Sequence, residues 1–484
     1  KQMKLFSNDV FNYNNETNQI EIVHSNFKSS FYNAGILDLK VTYGKYKNKF
    51  LYLCKPDDKR IPFFLIPYES HYTFDKSIQK IYITFQFKEW NDIHPLGTIT
   101  QNLGRVDDLN CFYEYILYCK SLNISIQKFT KEAKEKLRHQ THQEIIQQIT
   151  EKYTIPCIQK KDAYIFTIDS KTSNDFDDAI SYNFKEHKIT IYISNVAIIM
   201  EYLDLWDAFT NRISTIYLPD KKRSMLPTIL SDCLCSLKEK QNKLCYALDI
   251  FYNEKNEIIK KRLYICNVYI SKNYAYEYPE QYIENKYFKK IVEILKVKRS
   301  KDIIADLMLM FNHYIAQEFS KNKIGVFKSL FQEELDKTIP TSLPSNIYNH
   351  LCILKNASSN YCLYDKNNYK SAMHKNIEVY LQITSPIRRL VDLLNNIALL
   401  QYLKLNIISE NGLNFYKKWI SQEKLDYINI SSRTIRKIQS KCFIYHLYQE
   451  NKRQNKVQHY SGYIFDKIKK EGDGKYQYMV YLPD

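Results

Sequence analysis

Apolar and polar residues alternate over the first part of the chain, from about residue 35 to residue 107. The alternation runs through segments such as KFLYLCKPDDKRIPFFLIPYE and QKIYITFQFKEW, which are separated by turn residues. A period of two residues is typical of strands that bury one face. Several short strands of this kind predict a small antiparallel β-barrel.

The pattern changes three times beyond residue 107. Residues 108–158 are charged and lack β-like runs, which predicts a helical connector, with a solvated helix over Lys131 to Lys152. Residues 160–270 return to strand-like alternation. From 290 to 455 the apolar residues follow a helical period, as in Ile303, Ile304, Leu307, Met308 and Phe311. Two strands are expected near the end, and the whole order predicts an α+β multidomain protein.

The charge of the chain favours a polyanionic partner. Its 484 residues include 70 Lys and Arg against 53 Asp and Glu, a formal net charge of +17. Such an excess attracts nucleic acid or an anionic membrane surface. Because no apolar run reaches about 18 residues, a membrane span is not expected. The 42 tyrosines and 25 phenylalanines suit base stacking, although a biased base composition of the gene explains many of them equally well.

The 11 cysteines are scattered and form no Cys-x-x-Cys pair. This spacing predicts reduced thiols in an intracellular protein, in a compartment that the sequence does not resolve. His139 and His142 form an isolated pair in a polar stretch, where a solvated helix face is the more economical interpretation than a metal site.

Four aspartates within ten residues form the sharpest local feature, in YIFTIDSKTSNDFDDAISYNF. A strand-like run delivers Asp169, and Asp175, Asp177 and Asp178 follow a polar loop before a second strand. Carboxylates this close repel one another unless a cation lies between them, and Mg²⁺ prefers oxygen ligands. An exposed acidic turn is the competing interpretation. The basic composition of the rest of the chain favours a metal centre that meets a phosphate backbone.

A second cluster of interest lies in YLQITSPIRRLVDLLNNIALL. Ser385 suits an N-cap and Pro386 the first helical position, so a helix is expected to begin there. This assignment puts Arg388 and Arg389 in the first turn, where cations are disfavoured unless an anion binds. A phosphate gripped by guanidinium groups satisfies that condition, and a pair of solvated arginines is the alternative.

These segments together resemble the catalytic domain of the RNB family, which includes ribonuclease II and ribonuclease R. The T-I-D and D-x-D-D motif of the family matches Thr167 to Asp178, and its T-S-P-I-R-R motif matches Thr384 to Arg389. Between them, RISTIYLPDKKRSMLPTILSDCLCSLKEKQNK is similar to the R-x-x-S-x-Y-L-P, M-L-P and L-C-S-L blocks. Upstream, WNDIHPLGTITQNLGRVDD resembles a segment of the family's cold-shock barrel.

The resemblance implies an Mg²⁺-dependent 3′→5′ exoribonuclease that releases nucleoside 5′-monophosphates from single-stranded RNA, with Mn²⁺ as a second candidate metal. The implied metal ligands are Asp169, Asp175 and Asp178, and Asp177 is the carboxylate most directly needed for chemistry. The resemblance also implies that Arg388 contacts the phosphate near the scissile bond. The substrate-binding residues that it implies are Tyr217, Tyr276, Asp306, Thr384, Ser385 and Arg389. A helicase or an exosome-like assembly is the implied class of protein partner, and no membrane is involved.

The same resemblance divides the chain into five parts. Residues 1–34 are an unassigned N-terminal remnant, 35–107 a cold-shock barrel of the OB type, and 108–158 the helical connector. Residues 159–455 form the RNB catalytic domain, and 456–484 begin an incomplete C-terminal OB-type barrel.

Several family positions are altered, which leaves alternatives open. The usual glutamate before the M-x-x-x-N motif is replaced by Asp306, and the usual Arg-x-His segment by VFKSLF. A catalytically impaired RNA-binding protein or a scaffold subunit of an RNA–protein assembly is therefore the main alternative. A carboxylate–metal phosphatase is a further one, and the intact T-S-P-I-R-R segment speaks against it.

Overall fold

A computed structural model describes most of the chain. The described residues are 4–17, 19–69, 79–297, 299–331, 347, 358–366, 377–457, 459, 461–469 and 476–481. The chain begins with a hairpin of β1 (Val10–Asn14) and β2 (Gln19–His24), followed by the short helix α1 (Asn26–Ser29).

A closed five-stranded barrel follows, in the order β3-β4-β5-β7-β6. Its strands are β3 (Asn33–Tyr46), β4 (Lys49–Pro56), β5 (Phe64–Tyr68), β6 (Lys80–Glu89) and β7 (Leu96–Arg105). Neighbouring strands are antiparallel except β5 and β7, which pair in parallel where the barrel closes. The predicted alternation is confirmed in β5, where Phe64, Ile66 and Tyr68 are buried and the two residues between them are only half-buried.

The charged region after the barrel forms α2 (Leu109–Cys119), α3 (Gln127–Lys136) and α4 (His142–Lys152). The prediction of one solvated helix over Lys131 to Lys152 was wrong on two counts. The chain breaks after Lys136, and Thr141 restarts it with a capping box to Glu144. In addition, α4 buries Ile145, Ile146 and Ile149 against the main core, because its apolar residues lie one turn apart.

A seven-stranded sheet with the order β16-β9-β10-β11-β14-β15-β8 forms the centre of the molecule. Its strands are β8 (Cys157–Ile158), β9 (Phe166–Asp169), β10 (Asp178–Asn183), β11 (Lys188–Ser194), β14 (Gln241–Tyr252), β15 (Ile258–Ile270) and β16 (Lys272–Ala275). Between β11 and β14 lie α5 (Val196–Tyr202), the small hairpin β12 (Ile216–Tyr217) and β13 (Lys222–Arg223), and a π-helix, Ile229–Leu234. The run of buried residues in β11 reflects a sheet covered on both faces.

The second half is largely helical, as the apolar period predicts. A 3-10 turn (Pro279–Gln281) leads to α6 (Lys286–Leu295), α7 (Ser300–Asn322), α8 (Leu390–Tyr402), α9 (Glu410–Trp419) and α10 (Gln422–Arg453). Helix α8 is buried from Leu390 to Leu400. Two further hairpins pair β17 (Val326–Phe331) with β18 (Ser358–Leu363), and β19 (Tyr463–Lys469) with β20 (Tyr476–Tyr481).

Among the described residues, no helix combines the length and the apolar character that crossing a bilayer requires. The cysteines in this part of the chain are all free thiols, and Cys245 and Cys266 face each other across β14 and β15 in the core.

Candidate active site

The sheet brings the aspartates of the first motif to one edge. Asp169 is the last residue of β9 and Asp178 is the first residue of β10, and the two strands pair antiparallel, with Ile180 opposite Phe166. On the other side of β9, Ala275 lies opposite Asp169. The strand ends therefore gather the acidic residues and Tyr276, which follows Ala275, around one point.

Burial disfavours the ionised forms of Asp169 and Asp178 in this cluster. Burial, followed by the charge of Asp178, raises the pKa of Asp169. Burial likewise raises the pKa of Asp178, although Arg388 partly offsets it. The Oδ2 atom of Asp169 is buried and lacks a hydrogen-bond partner among the described residues. A carboxylate oxygen in that position costs free energy unless a cation or a proton meets it.

Asp177 is tied to the arginine segment. Its Oδ1 atom accepts a hydrogen bond from the Ile387 amide at 2.9 Å, and its Oδ2 atom accepts one from Arg388 Nε at 3.0 Å. The side chain of Asp177 is only 3% exposed, whereas that of Arg388 is 41% exposed. The ion pair thus connects the two motifs and leaves part of the guanidinium open to an incoming anion.

Asp175 has a different partner. Lys222 Nζ lies 3.1 Å from Asp175 Oδ1 and 3.0 Å from Asp232 Oδ1, and Tyr217 donates its hydroxyl to Asp175 Oδ2 at 3.3 Å. Tyr217 and Lys222 are opposite each other in the small hairpin of β12 and β13. Burial alone lowers the pKa of Lys222, but its contacts with Asp232 and Asp175 raise it above the usual value.

The predicted helix start at Ser385 was wrong, because α8 begins at Leu390. Ser385 lies one turn earlier, where its hydroxyl accepts a hydrogen bond from Arg388 Nη2 at 3.0 Å and its amide donates to Asp392 Oδ1 at 2.8 Å. Arg389 pairs with the same Asp392 oxygen at 2.8 Å. Side-chain hydrogen bonds thus fix the segment from Ser385 to Arg389. The two arginines point to different partners, Arg388 to Asp177 and Arg389 to Asp392.

A cavity of about 280 Å³ opens beside the arginines. Four cationic side chains line it, namely Lys328, Arg388, Arg389 and Arg436. Tyr217 and Tyr361 contribute aromatic walls. No acidic residue is among the described residues that line it, so its field favours an anion.

The remaining predicted residues lie at different distances from this centre. The amide of Tyr276 donates to the Asp169 carbonyl at 2.8 Å, and burial together with the charges of Asp178 and Asp169 raises the pKa of its hydroxyl. Thr384 is buried and accepts a hydrogen bond from Asn312 at 3.4 Å. Asp306 lies exposed on α7, and no contact with the aspartate cluster is found for it in the described part of the chain.

Several residues at the site escaped the sequence analysis. Lys222 and Asp232 lie inside quoted motif blocks, but nothing in a linear sequence shows that they meet at Asp175. Gln439, whose side chain accepts a hydrogen bond from the Tyr217 amide at 2.9 Å, and Arg436 belong to α10. The cluster of basic residues in RTIRKIQSK was the available signal for that helix.

The donor set fits a hard divalent cation at Asp169 and Asp178. Both are carboxylates of raised pKa, and one buried oxygen lacks a partner. Within the described ranges, no group of three or more acidic, histidine or cysteine side chains could hold a metal ion by itself. A cation held by these two carboxylates would need water or phosphate to complete its shell, as Mg²⁺ commonly does.

The molecule thus combines an OB-type barrel with a mixed α/β domain that carries a carboxylate–arginine centre. Two family models match this chain: the RNB domain over residues 159–292 and the Dis3-like cold-shock domain 2 over residues 51–120. Over these two ranges the chain is similar to the RNB domain and to the cold-shock domain of Dis3-like proteins. The arginine segment, Thr384 to Arg389, lies outside the matched ranges.

Curated relatives that match part of the chain are named ribonuclease R or exoribonuclease 2. Ribonuclease R of Chlamydia pneumoniae is 29% identical over 139 residues, which is 28% of this chain and 21% of the relative. Exoribonuclease 2 of Psychromonas ingrahamii is 35% identical over 125 residues, 25% of this chain and 19% of the relative. The matched segments thus span about a fifth of the length of these relatives.

Solved structures share the fold. Mycoplasma genitalium RNase R, in complex with ribose methylated single-stranded RNA, superposes with a TM-score of 0.70 at 17% identity, covering 95% of this chain and 83% of that one. Yeast Ssd1, a pseudonuclease, has a TM-score of 0.55 at 14% identity, covering 85% of this chain and 61% of Ssd1. The fold is therefore common to proteins with and without nuclease activity.

Proposed function

We propose that this chain is a divalent-metal-dependent 3′→5′ exoribonuclease that hydrolyses single-stranded RNA to nucleoside 5′-monophosphates. One observation carries the proposal. The buried Oδ2 atom of Asp169 has no hydrogen-bond partner among the described residues. It belongs to the same cluster as Asp177, whose carboxylate binds the partly exposed guanidinium of Arg388. A site for a cation thus adjoins a site for an anion, as hydrolysis of a phosphodiester requires.

Asp169 and Asp178 would hold Mg²⁺, with Mn²⁺ as the alternative ion. When bound, the ion supplies an activated water and charge neutralisation at the scissile phosphate. Asp175, which the family resemblance names as a third ligand, is paired with Lys222. Its contribution to metal binding is therefore indirect as long as that pair persists.

Arg388 is the residue that we assign to the phosphate. Asp177 orients its Nε and Ser385 orients its Nη2, whereas its Nη1 makes no hydrogen bond within the described part of the chain. A guanidinium held in this way is preorganised for charge that develops on a phosphate oxygen. Asp177 acts through this orientation, and its amide variant would present an N–H group to Arg388 or to Ile387.

Tyr217 and Tyr276 flank the acidic centre and are suited to stack on the terminal bases. Tyr217 is 43% exposed and also borders the cavity lined by the four cations. We assign that cavity, with Arg389, to the phosphates of the RNA. Contacts of Asp306, Thr384 and Ser385 with the substrate, and selection of RNA through its 2′-hydroxyl groups, are part of the same proposal.

The five-part division of the chain remains part of the proposal. In it, the OB-type barrel of residues 35–107 and the catalytic domain of residues 159–455 bind one strand of RNA. A helicase or an exosome-like assembly would deliver that strand.

The test is degradation of 5′-labelled single-stranded RNA in Mg²⁺ by the full chain. A ladder that shortens from the 3′ end, is absent with DNA of the same sequence, and disappears with Asp177→Asn supports the proposal. RNA that stays intact while still being retained in a binding assay contradicts it. Asp204→Asn, a change at an exposed aspartate on the surface, provides the matched control for loss of one carboxylate.

A catalytically impaired RNA-binding or scaffold subunit is the second candidate. The observation that favours it is the pairing of Lys222 with Asp175, which puts an ammonium where a third metal-binding carboxylate is expected. This candidate predicts that RNA binding survives Asp177→Asn unchanged and that Mg²⁺ leaves RNA length unaltered.

A further inference from the structure

Lys222 lies between Asp175, which the family resemblance implies is a metal ligand, and Asp232, for which the sequence indicates no role. Its ammonium contacts Asp175 at 3.1 Å and Asp232 at 3.0 Å. The side chains of all three residues are largely covered, with exposures of 23% for Lys222, 7% for Asp175 and 19% for Asp232. The pair of carboxylates thus surrounds a cation that is already part of the chain.

We infer that Lys222 is a built-in cation that occupies the Asp175 side of the centre and limits it to one divalent metal ion, at Asp169 and Asp178. Lys222 is a positioning residue in this assignment, because it contacts carboxylates and not the substrate. The inference rests on the proposed metal-dependent function, and it specifies that the site binds one metal ion and not two.

The hairpin of β12 and β13 positions the Lys222 ammonium at the place beside Asp175 that a metal ion would otherwise occupy. Lys222 and Tyr217 are paired across β12 and β13, and both reach Asp175, one oxygen each. Asp232 belongs to the π-helix and also accepts a hydrogen bond from Ser231 at 2.5 Å. Lys222 therefore connects three parts of the chain, as a bridging metal ion would. They are its own hairpin, the π-helix that carries Asp232, and the loop between β9 and β10 that carries Asp175.

Electrostatics explains why a metal ion and this ammonium exclude each other. Two cations that share the oxygens of one carboxylate repel each other strongly at separations of a few ångströms in a partly buried site. Mg²⁺ also demands oxygen ligands at about 2.0–2.1 Å, a distance that Asp175 and Asp232 reach only if the ammonium leaves. By contrast, no cationic side chain hydrogen-bonds to Asp169 in the described chain, so its side of the centre stays available.

The test is a titration of the full chain with Mn²⁺ alone, followed by electron paramagnetic resonance, without RNA. We expect one equivalent of bound Mn²⁺ for the wild type and a second equivalent for Lys222→Met, which keeps the length of the side chain but removes the charge. Lys222→Arg is expected to keep one equivalent. Lys221→Met, which removes the neighbouring exposed lysine, is the matched control and is expected to change nothing.

A double variant, Lys222→Met with Asp175→Asn, is expected to return to one equivalent because the second site loses a ligand. If Lys222→Met does not fold, as judged by circular dichroism, Lys222→Gln replaces it. A folded Lys222→Met or Lys222→Gln chain that still binds a single Mn²⁺, or a wild type that binds two, overturns the inference. A wild type that binds no Mn²⁺ overturns the proposed metal-dependent function itself, and thus separates the two failures.

Discussion

Arg388 Nε lies 3.0 Å from Asp177 Oδ2, although the two residues are 211 positions apart in the sequence. Burial raises the pKa of Asp177 to about 7, and the adjacent guanidinium opposes that shift. The charge of the partly exposed Arg388 thus compensates that of the buried Asp177. The pair joins the edge of the central sheet to the segment before α8, and it fixes the direction in which Arg388 faces a substrate.

Arg388→Lys is expected to lower the turnover number by about 10²–10³-fold, which is the usual effect of losing one preorganised donor at a developing charge. Lysine keeps the positive charge but not the fixed fork of the guanidinium, so binding of RNA should change much less. Single-turnover assays on labelled RNA, together with binding measured in EDTA, separate the two effects.

Arg433→Lys is the matched control for this change. Arg433 lies on α10 and donates to Asn360 at 2.8 Å, away from the aspartates. Equal losses of turnover in both variants would show that Arg388 has no special role at the phosphate.

The metal-free chain is expected to lose stability as the pH rises. Burial and the charge of Asp178 raise the pKa of Asp169 to about 8, from a usual value of 3.8. A group whose pKa is raised by folding stabilises the folded state fully only below its unfolded pKa, and this contribution is lost as the pH rises to the folded pKa. The free energy of unfolding in EDTA should therefore fall between about pH 4 and pH 8.

Thermal melting in EDTA across this range measures the effect. Each 1 kcal/mol corresponds to about 2–4 °C in a large domain. Saturating Mg²⁺ should raise the melting temperature most at the upper end of the range, because the ion replaces the lost proton. Asp169→Asn should reduce the pH dependence to the part that Asp177 and Asp178 contribute, and it should remove the response to Mg²⁺. A melting temperature in EDTA that is constant from pH 5 to pH 8 would contradict the electrostatic account.

Asp249 is also buried, but unlike Asp169 it has hydrogen-bond donors at both of its carboxylate oxygens. It is 0% exposed and accepts hydrogen bonds from Lys188, Thr190, Arg262 and Tyr264. Asp249→Ala leaves all four donors without this buried acceptor, and Lys188 keeps only its ion pair with Glu186. We therefore expect a loss of about 3–5 kcal/mol in the free energy of unfolding.

Urea unfolding measures this loss, and assays at low temperature should show that the folded fraction keeps its activity. Asp58→Ala removes an exposed ion pair with Arg60 and is the matched control, with an expected change of about 0–1 kcal/mol. A change for Asp249→Ala that is no larger than this control would mean that the buried network contributes little.

Local patterns predicted much of this architecture because they depend on near neighbours. The alternation in Phe64–Tyr68 gives a barrel strand, and the spacing of Ile303, Leu307 and Phe311 gives the buried face of α7. The loop from Asp169 to Asp178 was also readable, because its strands flank it directly. Long-range partners were not readable, and Lys222 and Asp232 illustrate this, since only the folded hairpin brings them to Asp175.

The start of α8 shows a different limit. Ser385 and Pro386 have the composition of a helix start, and the sequence predicted one. Asp392, in the first turn of α8, instead accepts hydrogen bonds from the amide of Ser385 and from the side chain of Arg389. These two hydrogen bonds to Asp392 hold the residues before Leu390 outside the helix. Capping preferences describe only which residue types favour a helix start, so they do not predict such contacts.

Arg436 tests whether the cavity beside Arg388 carries RNA phosphates. It lies exposed on α10 at the cavity wall, so Arg436→Gln should weaken binding of all RNA sequences by a similar factor. The slope of log affinity against log salt should fall by about 1, as for loss of one phosphate contact. Fluorescence anisotropy in EDTA, between low and moderate salt, measures both quantities without degradation of the RNA.

Lys437→Gln is the matched control, because Lys437 is the next residue on the same helix and does not line the cavity. A smaller change in slope for this control than for Arg436→Gln assigns the phosphate contact to the cavity. Identical slopes for the two variants would instead assign the effect to the general positive charge of α10, and the cavity would lose its place in the RNA path. The comparison is sharp because both changes remove one positive charge within one residue of each other.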